Sequence, residues 1–187
     1  IAHINAAVKC FFNLFQIRAY KYIKKETLDN KVSFFVTQNI IDVDKDFLEI
    51  KQLYEAENFP KALRKGLDFL GKYANTSKKN ISFYEVNNII GDIYRKNNNH
   101  DKSIIYYKNS LKILIENNLH PLESKNTNFN KSKLINAYLR IGGGFLRKNL
   151  KDSAKYYYEN ALDVEALDEK SLSFQASAST NLSGLYM

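Results

Sequence analysis

Apolar side chains recur at three- and four-residue steps through most of this chain, a spacing that predicts helices and leaves little room for strands. Val8, Phe11, Phe12, Phe15, Ala19, Tyr22 and Ile23 give residues 4 to 25 a wide apolar face. Such a helix needs a partner, and three are open to it: the first face of a helical array, a membrane surface, or a second copy of itself. After Asp29-Asn30, a suitable N-cap, Val36, Ile40, Val43, Phe47, Ile50 and Tyr54 alternate by four and three. One long helix to about Asn58 is the expectation, although Ser33 to Ile41 alone also fits a strand. Phe59-Pro60 opens the next helix, which runs to about Lys72. Proline is tolerated in a first turn because its missing N–H leaves no helical bond unmade.

Two helix pairs follow. Ile81 to Lys96 is joined by Asn97-Asn98-Asn99-His100 to a helix from Asp101 to about Glu116. Lys131 to Lys148 is joined by Asn149-Leu150 to a helix from Lys151 or Asp152 to about Leu167. Between the pairs, Asn117 to Asn130 contains Pro121, Ser124, Asn126 and Asn128 and reads as a loop. A final helix is expected to start near Asp168 to Ser171. The pairs are copies of one another. Tyr138, Ile141-Gly142 and Phe145 precede Ala154, Tyr158 and Ala161 in one; Ile90-Gly91 and Tyr94 precede Ser103, Tyr107 and Ser110 in the other. Leu182-Ser183 and Tyr186 begin a truncated copy, and a degenerate one surrounds Leu53-Tyr54, Phe59 and Ala62, with Gly66 where an aromatic is expected.

This pattern resembles the tetratricopeptide repeat, whose signature is a large apolar residue and a small one, an aromatic three further on, then Ala, aromatic and Ala on a second helix. Gly91 or Gly142 lets the second helix cross closely, Tyr94 or Phe145 fills the groove between helices, and Ser103 and Ala154 sit where bulk would push the pair apart. The resemblance covers roughly residues 43 to 187. It implies an all-α fold, a right-handed α-α superhelix of antiparallel hairpins, with residues 43–187 forming about three hairpins plus a truncated fourth and residues 1–42 a helical capping segment. Ala62 to Ser103 and Phe145 to Tyr186 are both 41 residues, and Ser103 to Ala154 is 51. The family's period is about 34. An excess of about seven residues is close to two helical turns, so each helix of a hairpin is read as about a turn longer than usual, with the loop from Asn117 to Asn130 lengthening one interval further. Long hairpins of this kind look like those of bacterial signalling proteins that join such an array to a DNA-binding or kinase module, including receptors for short signalling peptides.

In this family the first helices of successive hairpins line a groove that touches peptides. The matching positions are Asn88, Asp92, Arg95 and Lys96 in the second hairpin, and Asn136, Leu139, Arg140, Gly143 and Arg147 in the third. In the last they are Ser177, Thr180, Asn181 and Gly184. Some members hold a peptide's terminal carboxylate with Lys, Asn and Arg from consecutive hairpins; Arg140 and Asn181 match that chemistry, whereas Asp92 stands where an amide is wanted. Arg95, Arg140 and Arg147 make a basic strip suited to bidentate bonds with carboxylates, so a protein or acidic peptide is the expected partner.

Composition adds a rival. The net charge of +8 and pI near 9.3 admit a basic solenoid associated with nucleic acid. Lys and Arg are mixed with Glu and Asp, however, and the tightest basic groups, Lys24-Lys25 and Lys78-Lys79, are only pairs. Self-association through the terminal helices is the third reading. Uncharged runs of eight residues, Cys10 to Ile17, and ten, Val32 to Ile41, fall short of the roughly 20 that a membrane span needs. Cys10 is alone, so no intramolecular disulfide forms, and the cytoplasm and the periplasm both stay open. The chain starts with Ile and stops inside a repeat's first helix, which suggests a piece of a longer protein.

No catalytic or cofactor chemistry is expected. Asp42, Asp44 and Asp46 alternate as in a calcium loop, but the sixth and twelfth places hold Phe47 and Leu53 instead of Gly and Glu. His3, His100 and His120 are scattered outside any metal pattern, and Gly142-Gly143-Gly144 lacks the Lys-Ser/Thr and the preceding strand of a phosphate loop. Gly143 falls on the groove side, where it either reflects packing or admits a ligand backbone. Tyr106-Tyr107 and Tyr156-Tyr157-Tyr158 offer rings that could stack bases, although the repeat itself requires Tyr107 and Tyr158 for packing.

Overall fold

The computed structural model describes residues 42–75, 81–116 and 127–186, and these are helical with no strand among them. The chain divides into two units, 1–44 and 45–187. The helix expected over residues 4 to 25, the Asp29-Asn30 cap, the strand alternative at Ser33 to Ile41, Cys10, His3 and His120 all lie outside the described residues.

Helix α1 spans 42–55 and enters the second unit at Lys45. It is followed by α2 (Phe59–Lys72), α3 (Ile81–Lys96), α4 (His100–Glu116), α5 (Thr127–Arg147), α6 (Lys151–Asp163) and α7 (Glu169–Ser183). Two boundaries differ by four residues from the sequence reading. The supposed loop ends early, because α5 already begins at Thr127; Asn128 and Asn130 oppose a helix by well under about 1 kcal/mol each, which neighbouring turns override. Helix α6 stops at Asp163 rather than near Leu167, as Val164 turns extended at ψ 125°. Gln175 of α7 explains that stop: its Nε2 lies 3.2, 3.0 and 2.6 Å from the carbonyl oxygens of Ala161, Leu162 and Val164, and so serves the last carbonyls of α6. Asp168 then caps α7, accepting from the Ser171 N–H at 2.7 Å.

Three of the turns are superimposable in their bonding. Asn58, Asn99 and Leu150 donate their N–H to the carbonyls of Leu53, Tyr94 and Phe145, while Glu57, Asn98 and Asn149 donate to Tyr54, Arg95 and Leu146. That is the Schellman pattern, and it needs a left-handed residue at its centre. Glu57, Asn98 and Asn149 take that role at φ 56°, 59° and 57°. None is glycine, which is why the turns lack an obvious sequence marker. The hairpins α1/α2, α3/α4 and α5/α6 therefore share one connection.

They share one crossing as well. A Cβ on Gly91 would stand 2.5 Å from the ring of Tyr107, and one on Gly142 would stand 2.7 Å from that of Tyr158. The first hairpin solves the problem differently. Buried Ile50 occupies the position of those glycines, Gly66 that of the tyrosines, and the side chain of Ile90 fills the room beside Gly66, 3.0 Å from where a Cβ would be. Ser103, Ser110, Ala154 and Ala161 are all fully buried at the crossings. Neighbouring hairpins join through Phe69, Tyr73 and Phe83 at one interface, with centroids 5.0 to 6.4 Å apart, and through Ile104, Tyr107 and Ile141 at the next. Helix α7 closes on Ile135, Ala154, Tyr158 and Ala161 through Ala178. Tyr106 and Tyr157 stack on Tyr94 and Phe145, at 18° and 15° between planes, so these rings are engaged in the hairpins themselves.

Candidate functional site

Helix α3 lies at the middle of the described array and is buried along most of its length, including four polar residues, Ser82, Asn87, Asn88 and Asp92. Burying a carboxylate is costly unless it is paired. Asp92, only 8 % exposed, accepts the Tyr107 hydroxyl of α4 at 2.7 Å, and its other oxygen stands 2.5 Å from Arg140 Nη1 of α5. This last contact is an ion pair outside hydrogen-bond geometry, leaving Nη1 buried with no hydrogen-bond acceptor among the described residues. Arg95 Nε lies 3.6 Å away and the Tyr54 hydroxyl of α1 donates across 3.5 Å, both weaker contacts. Arg140 is further held by Asn136, which accepts from Nε at 3.3 Å, and by the face of Tyr107, 5.5 Å away.

The electrostatics follow from this one carboxylate. Burial pushes the Tyr107 and Tyr54 hydroxyls above their usual ionisation range, and the adjacent Asp92 charge pushes them the same way. Burial opposes the charge of Arg140, but Asp92 outweighs it and makes the guanidinium harder still to deprotonate. One helical turn or two before, Tyr84 donates to the Lys133 carbonyl at 3.4 Å and is pushed up to about 12 by burial and by Glu85. Lys133 pairs with Glu85 and lies 4.6 Å over the Tyr84 ring. Asn88 Oδ1 stands 3.0 Å from the Ser110 hydroxyl.

Above these pairs opens a cleft of about 450 Å³. Phe47, Lys51, Tyr54 and Glu55 of α1 form one wall, Ile81, Glu85, Asn88, Ile89 and Asp92 of α3 the floor, and Arg140 of α5 the far side. First helices of three successive hairpins thus meet at one opening. Its apolar rings and isoleucines can hold an apolar side chain, while the charged groups beside them are fixed in orientation by one another.

Of the residues marked from sequence, Asn88, Asp92, Arg95, Asn136 and Arg140 come together here. The expected strip of three arginines does not act as one unit: Arg140 is paired internally, Arg95 leans on the same acid, and Arg147 bonds back to the Gly143 carbonyl at 3.0 Å. Lys96 turns away to cover the ring of Phe59 at 4.3 Å. Ser177 and Thr180 give their hydroxyls to the carbonyls of Ser173 and Ala176 within α7, Asn181 is half-buried, and Gly184 ends α7 with an ordinary helical φ of −66°. Sequence reasoning missed Phe47, Tyr54, Tyr84, Glu85 and the hydroxyl of Tyr107. The last had a signal: packing alone would accept Phe at that position, and Tyr beside a buried Asp implies a bond. Among the described residues no group of three metal-ligating side chains gathers, and no helix is long and apolar enough to cross a membrane.

The chain matches no protein-family model and no curated protein sequence.

Proposed function

We propose that residues 43–187 form a right-handed superhelix of the tetratricopeptide type that binds a protein segment and catalyses no reaction. The repeated Schellman turns and the repeated fit of glycine against tyrosine support the superhelix. The observation that carries the binding role is the cleft between α1, α3 and α5, whose apolar wall of Phe47, Tyr54, Ile81 and Ile89 lies beside charges that already neutralise each other. An apolar anchor of the bound segment enters there. Arg95 and Arg147, the more accessible guanidiniums, meet acidic residues flanking it. A sensory or scaffolding place in a longer bacterial signalling protein rests on the likeness of the long hairpins alone. The nucleic-acid reading draws less support, since Lys65, Lys72, Lys131, Lys133 and Lys148 are each paired with a carboxylate.

Fluorescence anisotropy with a labelled peptide carrying one leucine among glutamates tests the reading. Phe47→Ala and Arg95→Ala should each weaken binding about tenfold, corresponding to about 1.4 kcal/mol. Undiminished binding by both variants, or none by the unaltered chain, overturns it.

A further inference from the structure

The second and third hairpins differ at one functional point. Tyr107 and Tyr158 are equivalent, as are Asp92 and Gly143, each pair 51 residues apart. In the second hairpin the buried Tyr107 hydroxyl donates to the Asp92 carboxylate. In the third, Tyr158 is equally buried, at 0 % exposure, yet its hydroxyl has no hydrogen-bond partner among the described residues. A buried donor left unbonded costs about 1–3 kcal/mol, so its persistence calls for a reason. The residue that would answer it is glycine. A Cβ built on Gly143 would stand 3.8 Å from Tyr158 Oη and 3.3 Å from Arg147 Nη1, so a carboxylate oxygen reaches the buried hydroxyl once the tip of the Arg147 side chain swings aside. Arg147 lies across the position, bonded to the Gly143 carbonyl, and it is exposed.

The geometry points to a carboxylate-binding site over Gly143, in which a ligand's carboxylate takes the place that the Asp92 carboxylate fills one hairpin earlier, accepting from Tyr158 Oη and pairing with Arg147. Arg147 exchanges a neutral carbonyl for a charged acceptor, a bond roughly twice as strong. The cation sits over the carboxylate as Arg140 does over Asp92. The peptide-binding reading supplies only the source of the carboxylate, which is either an acidic side chain or a chain terminus.

Two measurements test the site separately from that reading. In thermal melts, Gly143→Asp supplies the missing acceptor and should exceed Gly143→Ala in midpoint; acetate, exchanged for chloride at constant ionic strength, should raise the midpoint of the unaltered chain but not of Gly143→Asp. In anisotropy titrations, a tetraglutamate amide and a tetraglycine with a free terminus distinguish the two sources. Whichever binds should lose about tenfold in Gly143→Asp and Arg147→Ala, and less in Tyr158→Phe. Gly143→Asp melting no higher than Gly143→Ala, or peptide binding untouched by all three substitutions, overturns the site and leaves the cleft reading standing. An acetate effect without binding of the leucine-containing glutamate peptide does the reverse.

Discussion

The glycines at 142, 143 and 144 are adjacent in one helix, and replacing each by alanine should give three different results. No described glycine has positive φ, so an alanine can adopt every one of these backbones and space alone decides. Each substitution gains about 1 kcal/mol of helix propensity. At Gly142 the new methyl would lie 2.7 and 2.8 Å from two ring atoms of the fully buried Tyr158, which has no room to retreat. Overpacking of that kind costs up to about 3 kcal/mol, a net loss of about 2. At Gly144 it would meet Ile104 Cγ1 at 2.6 Å; the aliphatic chain yields more easily than a ring, and the net loss is nearer 1 kcal/mol. At Gly143 the nearest atom is the tip of the exposed Arg147, so most of the propensity gain survives. Equilibrium urea unfolding followed by far-UV circular dichroism should therefore rank the midpoints as Gly143→Ala, unaltered chain, Gly144→Ala, Gly142→Ala. With m near 2–3 kcal/mol/M, the ends of that series lie about 1 M apart. A Gly142→Ala midpoint at or above that of the unaltered chain would refute the close crossing as the reason for glycine there.

Asp92→Asn should cost about 3 kcal/mol by stranding the Arg140 charge, and the Asp92→Ala/Arg140→Ala cycle should show coupling above about 1 kcal/mol; additive losses would contradict the pair. Tyr84 holds its proton to about pH 12 in the folded chain against 10.0 when unfolded, so its contribution is complete below pH 10 and is lost as pH climbs toward 12, on the order of 3 kcal/mol in all. Denaturation midpoints between pH 9 and 12 should fall less steeply in Tyr84→Phe, with the raised Tyr107 keeping a residual slope. Glu57→Gly relieves a left-handed glutamate and should raise the melting temperature by the equivalent of about 1 kcal/mol, whereas an unchanged value would argue against strain at that turn.

The helices were legible because their signals are local. Ile90-Gly91 with Tyr107, and Ile141-Gly142 with Tyr158, carry the crossing in their own sizes, and Phe59–Lys72 and Ile81–Lys96 begin and end as periodicity places them. Boundaries failed where the deciding partner is remote: nothing near Asp163 announces that Gln175 will serve the carbonyls beyond it. The candidate site was half legible for the same reason. Motif matching singled out Asp92 and Arg140, which do meet at the cleft, but their pairing spans 48 residues and turns two supposed ligand contacts into one internal ion pair. Phe47 and Tyr54 of the cleft belong to the degenerate first copy, whose Gly66 hid its equivalence to the others.

The Asp92 carboxylate also has a bearing on how the array comes apart. A single anion is touched from α1, α4 and α5, so three hairpins share one charged rivet and cannot loosen singly without abandoning it. Helix α7 has no share in that carboxylate among the described residues; Ala178 with its apolar neighbours, and the Gln175 amide on the last carbonyls of α6, hold it. Cooperativity along these residues is therefore graded, and native-state hydrogen exchange should find α7 fraying first while amides from α3 to α5 exchange together, near the global limit.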